Sequence, residues 1–154
     1  MSKTFNFDSL KTISRRSVKY IDKIILHDSH SDFKKDDNID AIKNKHLEKG
    51  FYDIGYHFFV DSIGNVFVGR SISLIGKHCN IENFSSIGIC LSGKEIFSDI
   101  QINSTVKLIK KLCSAYDIKL DKIFGHKHFE KNNCPNFDIK IILEKLKNDE
   151  DEIG

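Results

Sequence analysis

Apolar positions along the chain fall into runs of two different periods. KIILHD, from Lys23, is short, unbroken and rich in β-branched residues, which predicts a strand buried on both faces with His27 near its end. From Asn38, NIDAIKNKHLEKG carries a capping side chain, then Ile39, Ile42 and Leu47 at roughly helical spacing, and Gly50 as a stop, so a helix is expected. YHFFVDSIGNVFVGR, from Tyr56, is two aromatic, β-rich segments around a Gly-Asn turn, the composition of a hairpin. SSIGICLSG, from Ser85, is another apolar strand. Asn103 is expected to cap a second helix in which Val106, Ile109, Cys113 and Tyr116 share one stripe, making Cys113 a core residue. KIFGH adds a short strand ending at His126, and Asp138 caps a last helix running through Ile142 and Leu146. The order strand, helix, hairpin, strand, helix, strand, helix predicts an α+β, α/β-like fold: a central mixed β-sheet flanked by helices.

Composition adds bounds. With 154 residues, 40% of them hydrophobic, and no repeat, low-complexity tract or linker, residues 1–154 read as one domain able to bury a core. A net charge of +2 carries no electrostatic argument for nucleic acid, and none is expected as a partner. The first twenty residues interrupt every apolar position with polar ones, so neither a secretory signal nor a membrane span is expected and synthesis is placed in the cytoplasm. In that setting the glycosylation-like triplets at Asn83 and Asn103 are accidents of sequence. Cys79, Cys90, Cys113 and Cys134 form no Cys-x-x-Cys pair, which argues against a disulfide framework and a four-cysteine metal knot. Cys79 and Cys90 read as packing residues.

The candidate chemistry concentrates in GHKHFEKNNCPNFD, from Gly125, and at the end of the first strand. Ends of central strands deliver side chains into a shared crevice, and His27 and His126 both stand there. Cys134 follows His126 by eight residues across a polar loop. Two imidazoles and a thiolate suit zinc, and three protein ligands leave a fourth tetrahedral position open. Each of the three also has an ordinary structural role available to it, as a strand-closing histidine, a loop histidine and a buried cysteine before proline.

Four separated blocks, IILHDS, DIGYHFFVDSIGNVFVGR, IGKHCNIENFSSIGICLSG and GHKHFEKNNCPNFD, together resemble the zinc-dependent N-acetylmuramoyl-L-alanine amidases of the type-2 family. That family includes phage endolysins and the animal peptidoglycan recognition proteins, and the resemblance covers roughly residues 20–147. The chain is most similar to the small single-domain phage members. The resemblance implies one zinc per chain on His27, His126 and Cys134, and a catalytic role for Tyr56 in orienting water or donating to the oxyanion. It implies a substrate-groove position for His78, and a structural one for His57 on the opposite face of a regular strand. The phage pattern places a catalytic lysine two residues before the zinc cysteine. Here that position is Asn132, so either Lys131 supplies the cation or Asn132 a neutral hydrogen bond. HDSHS departs from the usual first block, leaving His30 to compete for metal. His128 shares a side with His126 if the strand continues, and is the rival ligand.

The implied function is cleavage of the amide between N-acetylmuramic acid and L-alanine in peptidoglycan. A lytic enzyme without a signal would need another factor to reach the wall. The alternative is a muropeptide- or partner-binding module of the same fold, and some small phage relatives restrain a phage RNA polymerase. A monomer without stable membrane insertion is expected.

Overall fold

The computed structural model describes residues 14–153, with side chains through Asn148. Its strands are β1 (Lys23–Asp28), β2 (Phe58–Val60), β3 (Val66–Val68), β4 (Ser86–Leu91) and β5 (Ile123–Gly125), and its helices α1 (Ile39–Glu48), α2 (Asp99–Tyr116) and α3 (Ile139–Ile153). The strands form one mixed sheet in the order β3-β2-β4-β1-β5. β1 runs parallel to both β4 and β5, β2 runs parallel to β4, and β3 closes the edge antiparallel to β2.

β1 is central, and its unbroken apolar run is buried on both sides because alternate residues serve different layers. Ile24 and Leu26, with Ile87, Ile89 and Leu91 of β4 and Val60 of β2, pack against Ile102, Val106, Ile109 and Leu112 of α2 and Ile142 and Leu146 of α3. Each such fully buried aliphatic side chain contributes roughly 1.5–3 kcal/mol of transfer free energy. The other face carries Phe59 and Cys90, covered by Ile42 of the short α1 and by Ile54. Two long helices on one face and one short helix on the other leave the end of β1 beside α1 open for a site.

Local rules account for the helix ends. The Asn38 side chain accepts from the Ala41 N–H at 2.8 Å and caps α1. At the far end Gly50, at φ +91°, closes a Schellman turn in which Phe51 N–H bonds His46 O and Gly50 N–H bonds Leu47 O, each at 3.0 Å. Asp138 starts α3 through its bond to the Lys140 N–H at 3.0 Å.

Three expectations change. α2 begins at Asp99, not at Asn103, because the Ser98 hydroxyl accepts from the Gln101 N–H at 3.2 Å and adds a turn, leaving Asn103 exposed inside the helix. Leu47 is 42% exposed, and the inner stripe of α1 is Ile39, Ile42 and His46 instead. The hairpin is shorter than its sequence suggested, with three residues in each strand and β3 exposed throughout. Cys113 is half-buried against the main core, and all four cysteines are free thiols. Among the described residues no helix is long and apolar enough to cross a membrane.

Candidate metal centre

The pleat of β1 turns His27 to the thinly covered face, one residue before the strand ends, where it is 1% exposed. Beside it, β5 stops at Gly125 and the chain makes a tight turn over His126–His128, so His126 follows the strand instead of belonging to it. The loop then folds back until Lys127 N–H bonds Cys134 O at 2.6 Å, delivering buried Cys134 to the same place. The His27 and His126 rings lie 4.7 Å apart, and Cys134 Sγ is 3.8 Å from His27 Nδ1. One ligand atom from each of the three lies within 4.8 Å of the others.

The hydrogen bonds around His27 fix which nitrogen faces inward. The Ser86 hydroxyl has one proton and gives it to Glu82 O at 2.6 Å, so at 3.2 Å it accepts from His78 Nε2–H. His78 Nδ1 is then bare and accepts from His27 Nε2–H at 2.9 Å, which leaves the lone pair of His27 on Nδ1, toward Cys134. Burial, followed by His126, holds His27 well below its usual pKa; burial and then His27 do the same to His78, and both rings stay neutral. Gly88 makes this packing possible, since a Cβ there would lie 2.6 Å from the His78 ring. On the other side, the Glu130 carboxylate holds His126 Nε2.

Cys134 is a buried thiol. Burial pushes it up to about 12, opposed by the Asp28 N–H, which donates to Sγ at 3.4 Å. Such a group ionises when a divalent cation takes the place of its proton. Donors at about 2.0–2.3 Å from a tetrahedral ion sit roughly 3.3–3.8 Å from one another, and the 3.8 Å between Cys134 Sγ and His27 Nδ1 matches that spacing. Two imidazoles and one thiol therefore fit a zinc ion with one position left open. Two further groupings, Asp28 with His30 and Cys134, and Cys79 with His126 and Glu130, each share a member with this one.

Tyr56 comes just before β2 and not within it, with its ring 4.9 Å from that of His27 and 5.2 Å from that of His46. Burial first, then the Cys90 thiol, push its hydroxyl well above 10.0, so it keeps its proton. His46 accepts from the Gly55 N–H at 2.8 Å, and burial lowers its pKa to about 4. Its place on the Ile39–Ile42 stripe was the sequence signal for it, and that signal was missed. Glu130 and Ser86 carried no periodic signal.

The remaining candidates separate by position. His128 is exposed and stacks on Phe124 at 4.7 Å, because the turn after Gly125 breaks the alternation that would have set it beside His126; it is in none of the groupings of metal-binding side chains. His30 is exposed and tied to the buried Asp28 carboxylate at 3.0 Å. His57 is buried, with Nδ1 accepting from the Gly88 N–H at 3.0 Å. It stands edge-on to His78 at 5.8 Å and does not cross to the far face, since it precedes the regular strand. His78 borders the groove, and both its nitrogens are engaged inside the protein, by His27 Nε2–H and by the Ser86 hydroxyl. Asn132 lies 3.5 Å from His126 Nε2, and its Oδ1 accepts from the Cys134 N–H at 2.9 Å. Lys131 is exposed. A groove of about 220 Å³ leads away from the histidines between Lys49, Phe51, Tyr56, Lys77, His78 and Glu130.

Residues 17–137 match the family model described as N-acetylmuramoyl-L-alanine amidase. The endolysin of Escherichia phage T7 is 30% identical over 132 residues, covering 80% of this chain and 86% of that protein. Among solved structures, the N-acetylmuramoyl-L-alanine amidase LysC from Clostridium intestinale superposes with a TM-score of 0.76 at 24% identity, covering 96% of this chain and 95% of that one. Apis mellifera PGRP-SA superposes with a TM-score of 0.70 at 27% identity, with 81% of each chain covered.

Proposed function

The chain belongs to the N-acetylmuramoyl-L-alanine amidase family, and on that premise we propose that His27, His126 and Cys134 hold one zinc ion at the working centre of a phage-endolysin-like enzyme. The protein is a peptidoglycan hydrolase that cleaves the amide between N-acetylmuramic acid and L-alanine. The observation that carries the metal reading is the convergence of two imidazoles and a buried thiol within 4.8 Å, with the inward nitrogen of His27 fixed by its neighbours. When bound, zinc supplies a Lewis acid for the scissile carbonyl and a nucleophile from water at neutral pH.

The chain's own residues do the rest. The groove orients the glycopeptide so that its lactyl amide lies over the three ligands, between Tyr56 and the Glu130 side. Tyr56, kept protonated by burial, donates a hydrogen bond to the oxygen on which charge develops. Asn132 occupies the place where the family resemblance implies a lysine. Its amide oxygen holds the Cys134 N–H and keeps the ligand loop in register. Catalysis is favoured over recognition alone because three ligands of this kind leave a coordination position that a binding module does not need.

Digestion of purified peptidoglycan should release new N-terminal L-alanine, and a strong chelator should abolish that release until zinc is restored. Glycan cleavage without new alanine termini would refute the assigned bond, and activity indifferent to chelation would refute the metal. Within the loop, Asn132→Ala should lower kcat about tenfold, equivalent to about 1.4 kcal/mol. Lys131→Ala should stay within about twofold of the parent, because a solvated surface lysine contributes little. The reverse order of damage would transfer the role to Lys131.

A further inference from the structure

Glu130 lies within the GHKHFEKNNCPNFD block but has no role in the reading of that block, yet its carboxylate reaches both a candidate ligand and the opposite groove wall. The turn after β5 brings the Glu130 N–H to 3.2 Å from His126 O, and this one-turn offset returns the side chain onto the His126 ring. Its two oxygens have different partners. Oε2 meets His126 Nε2, and Oε1 accepts from the Asn80 N–H at 3.0 Å across the groove. Asn80 opens the Asn80–Ser85 turn, whose Asn83 Oδ1 accepts from the His78 N–H at 2.9 Å and the Cys79 N–H at 2.8 Å. His78 in turn holds His27.

We propose that Glu130 is a positioning residue that fixes His126 with its proton on Nε2 and its lone pair on Nδ1, and that ties the ligand loop to the groove wall carrying His78. A carboxylate only accepts, so the nitrogen it meets must carry the proton, and the other nitrogen is left to face the ligand cluster. The two histidines are thus oriented by the same device from opposite sides, His27 through neutral His78 and His126 through the Glu130 carboxylate. The Asn80 bond makes both depend on one loop. This role rests on the metal reading above, but the proton position on His126 is a property of the protein before any metal binds.

The test uses metal-free full-length protein and long-range proton–nitrogen NMR of the imidazoles, followed by zinc titration against a competing chelator. The parent should show His126 as the Nε2–H form. Glu130→Ala should populate the Nδ1–H form and weaken zinc binding 10–100-fold. Glu130→Asp, one methylene too short to span His126 and Asn80, should resemble the alanine variant. Glu130→Gln, whose amide oxygen still accepts, should keep the Nε2–H form and most of the affinity, which a general loss of packing would not do. Backbone amide spectra identify any variant that fails to fold, and the Gln and Asp pair then decides the point without Ala. An unchanged tautomer and zinc affinity in Glu130→Ala would overturn the proposal, as would unchanged affinity with a collapsed turnover, which would make Glu130 a proton-transfer group. Failure of the metal reading looks different, because Cys134→Ser would then bind zinc as tightly as the parent whatever the state of His126.

Discussion

His126→Ala is expected to abolish release of L-alanine termini, whereas His128→Ala should retain most of it. The two histidines are two residues apart in the sequence, and a continuing strand would have set both on one side. The turn at His126–His128 instead places one ring 4.7 Å from His27 and the other on Phe124 at the surface. Losing His126 leaves two protein ligands, too few to hold a catalytic zinc ion. Losing His128 removes an exposed aromatic stack, an effect of about 0.5–1.5 kcal/mol on stability. Elemental analysis should agree with the kinetics: near-stoichiometric zinc in the parent and in His128→Ala, and a large loss in His126→Ala and in Cys134→Ser, where a hydroxyl is a poor substitute for thiolate. Full zinc retention in Cys134→Ser would remove that residue from the ligand set, and greater damage from His128→Ala would move the ligand two places along.

Tyr56→Phe should lower kcat by a hundred- to a thousand-fold with zinc content unchanged. The substitution keeps the ring that packs near His27 and His46 and deletes the hydroxyl, whose partner within the protein is the weakly bonding Cys90 thiol. Removing one preorganised donor to a developing oxyanion costs about 2.7–4 kcal/mol, which sets the expected factor. Because burial and the Cys90 thiol hold Tyr56 well above 10.0, the donor form persists through the neutral range, and the parent's rate should show no Tyr56 ionisation between pH 6 and about 9. A base role would require the rate to climb with pH toward 10. If Tyr56→Phe cleaves as fast as the parent, the oxyanion is held by the metal and by Asn132 or backbone groups.

The sequence by itself determined the order of elements and the mixed sheet, because burial imposes a period on each run. The unbroken run of Ile24, Ile25 and Leu26 in KIILHD suits a strand covered on both faces, and the stripe of α2 could serve only one face of a sheet. Asn38, Gly50 and Asp138 announced helix ends through bonds made within a few residues, which neighbouring sequence can specify. The candidate ligands were legible as residue types, and their family resemblance ordered them. Their geometry was not legible, since a tight turn after Gly125 breaks the strand alternation that any reading of His126 and His128 must assume. Nor could His78 be assigned to His27, or Glu130 to His126 and Asn80. His78 and His27 are 51 residues apart, and Glu130 and Asn80 are 50 apart. The parallel pairing of β1 with β5 sets the end of β1 beside the loop that follows β5, while His78, from the turn that leads into β4, reaches His27 across Gly88 on the thinly covered face of the sheet.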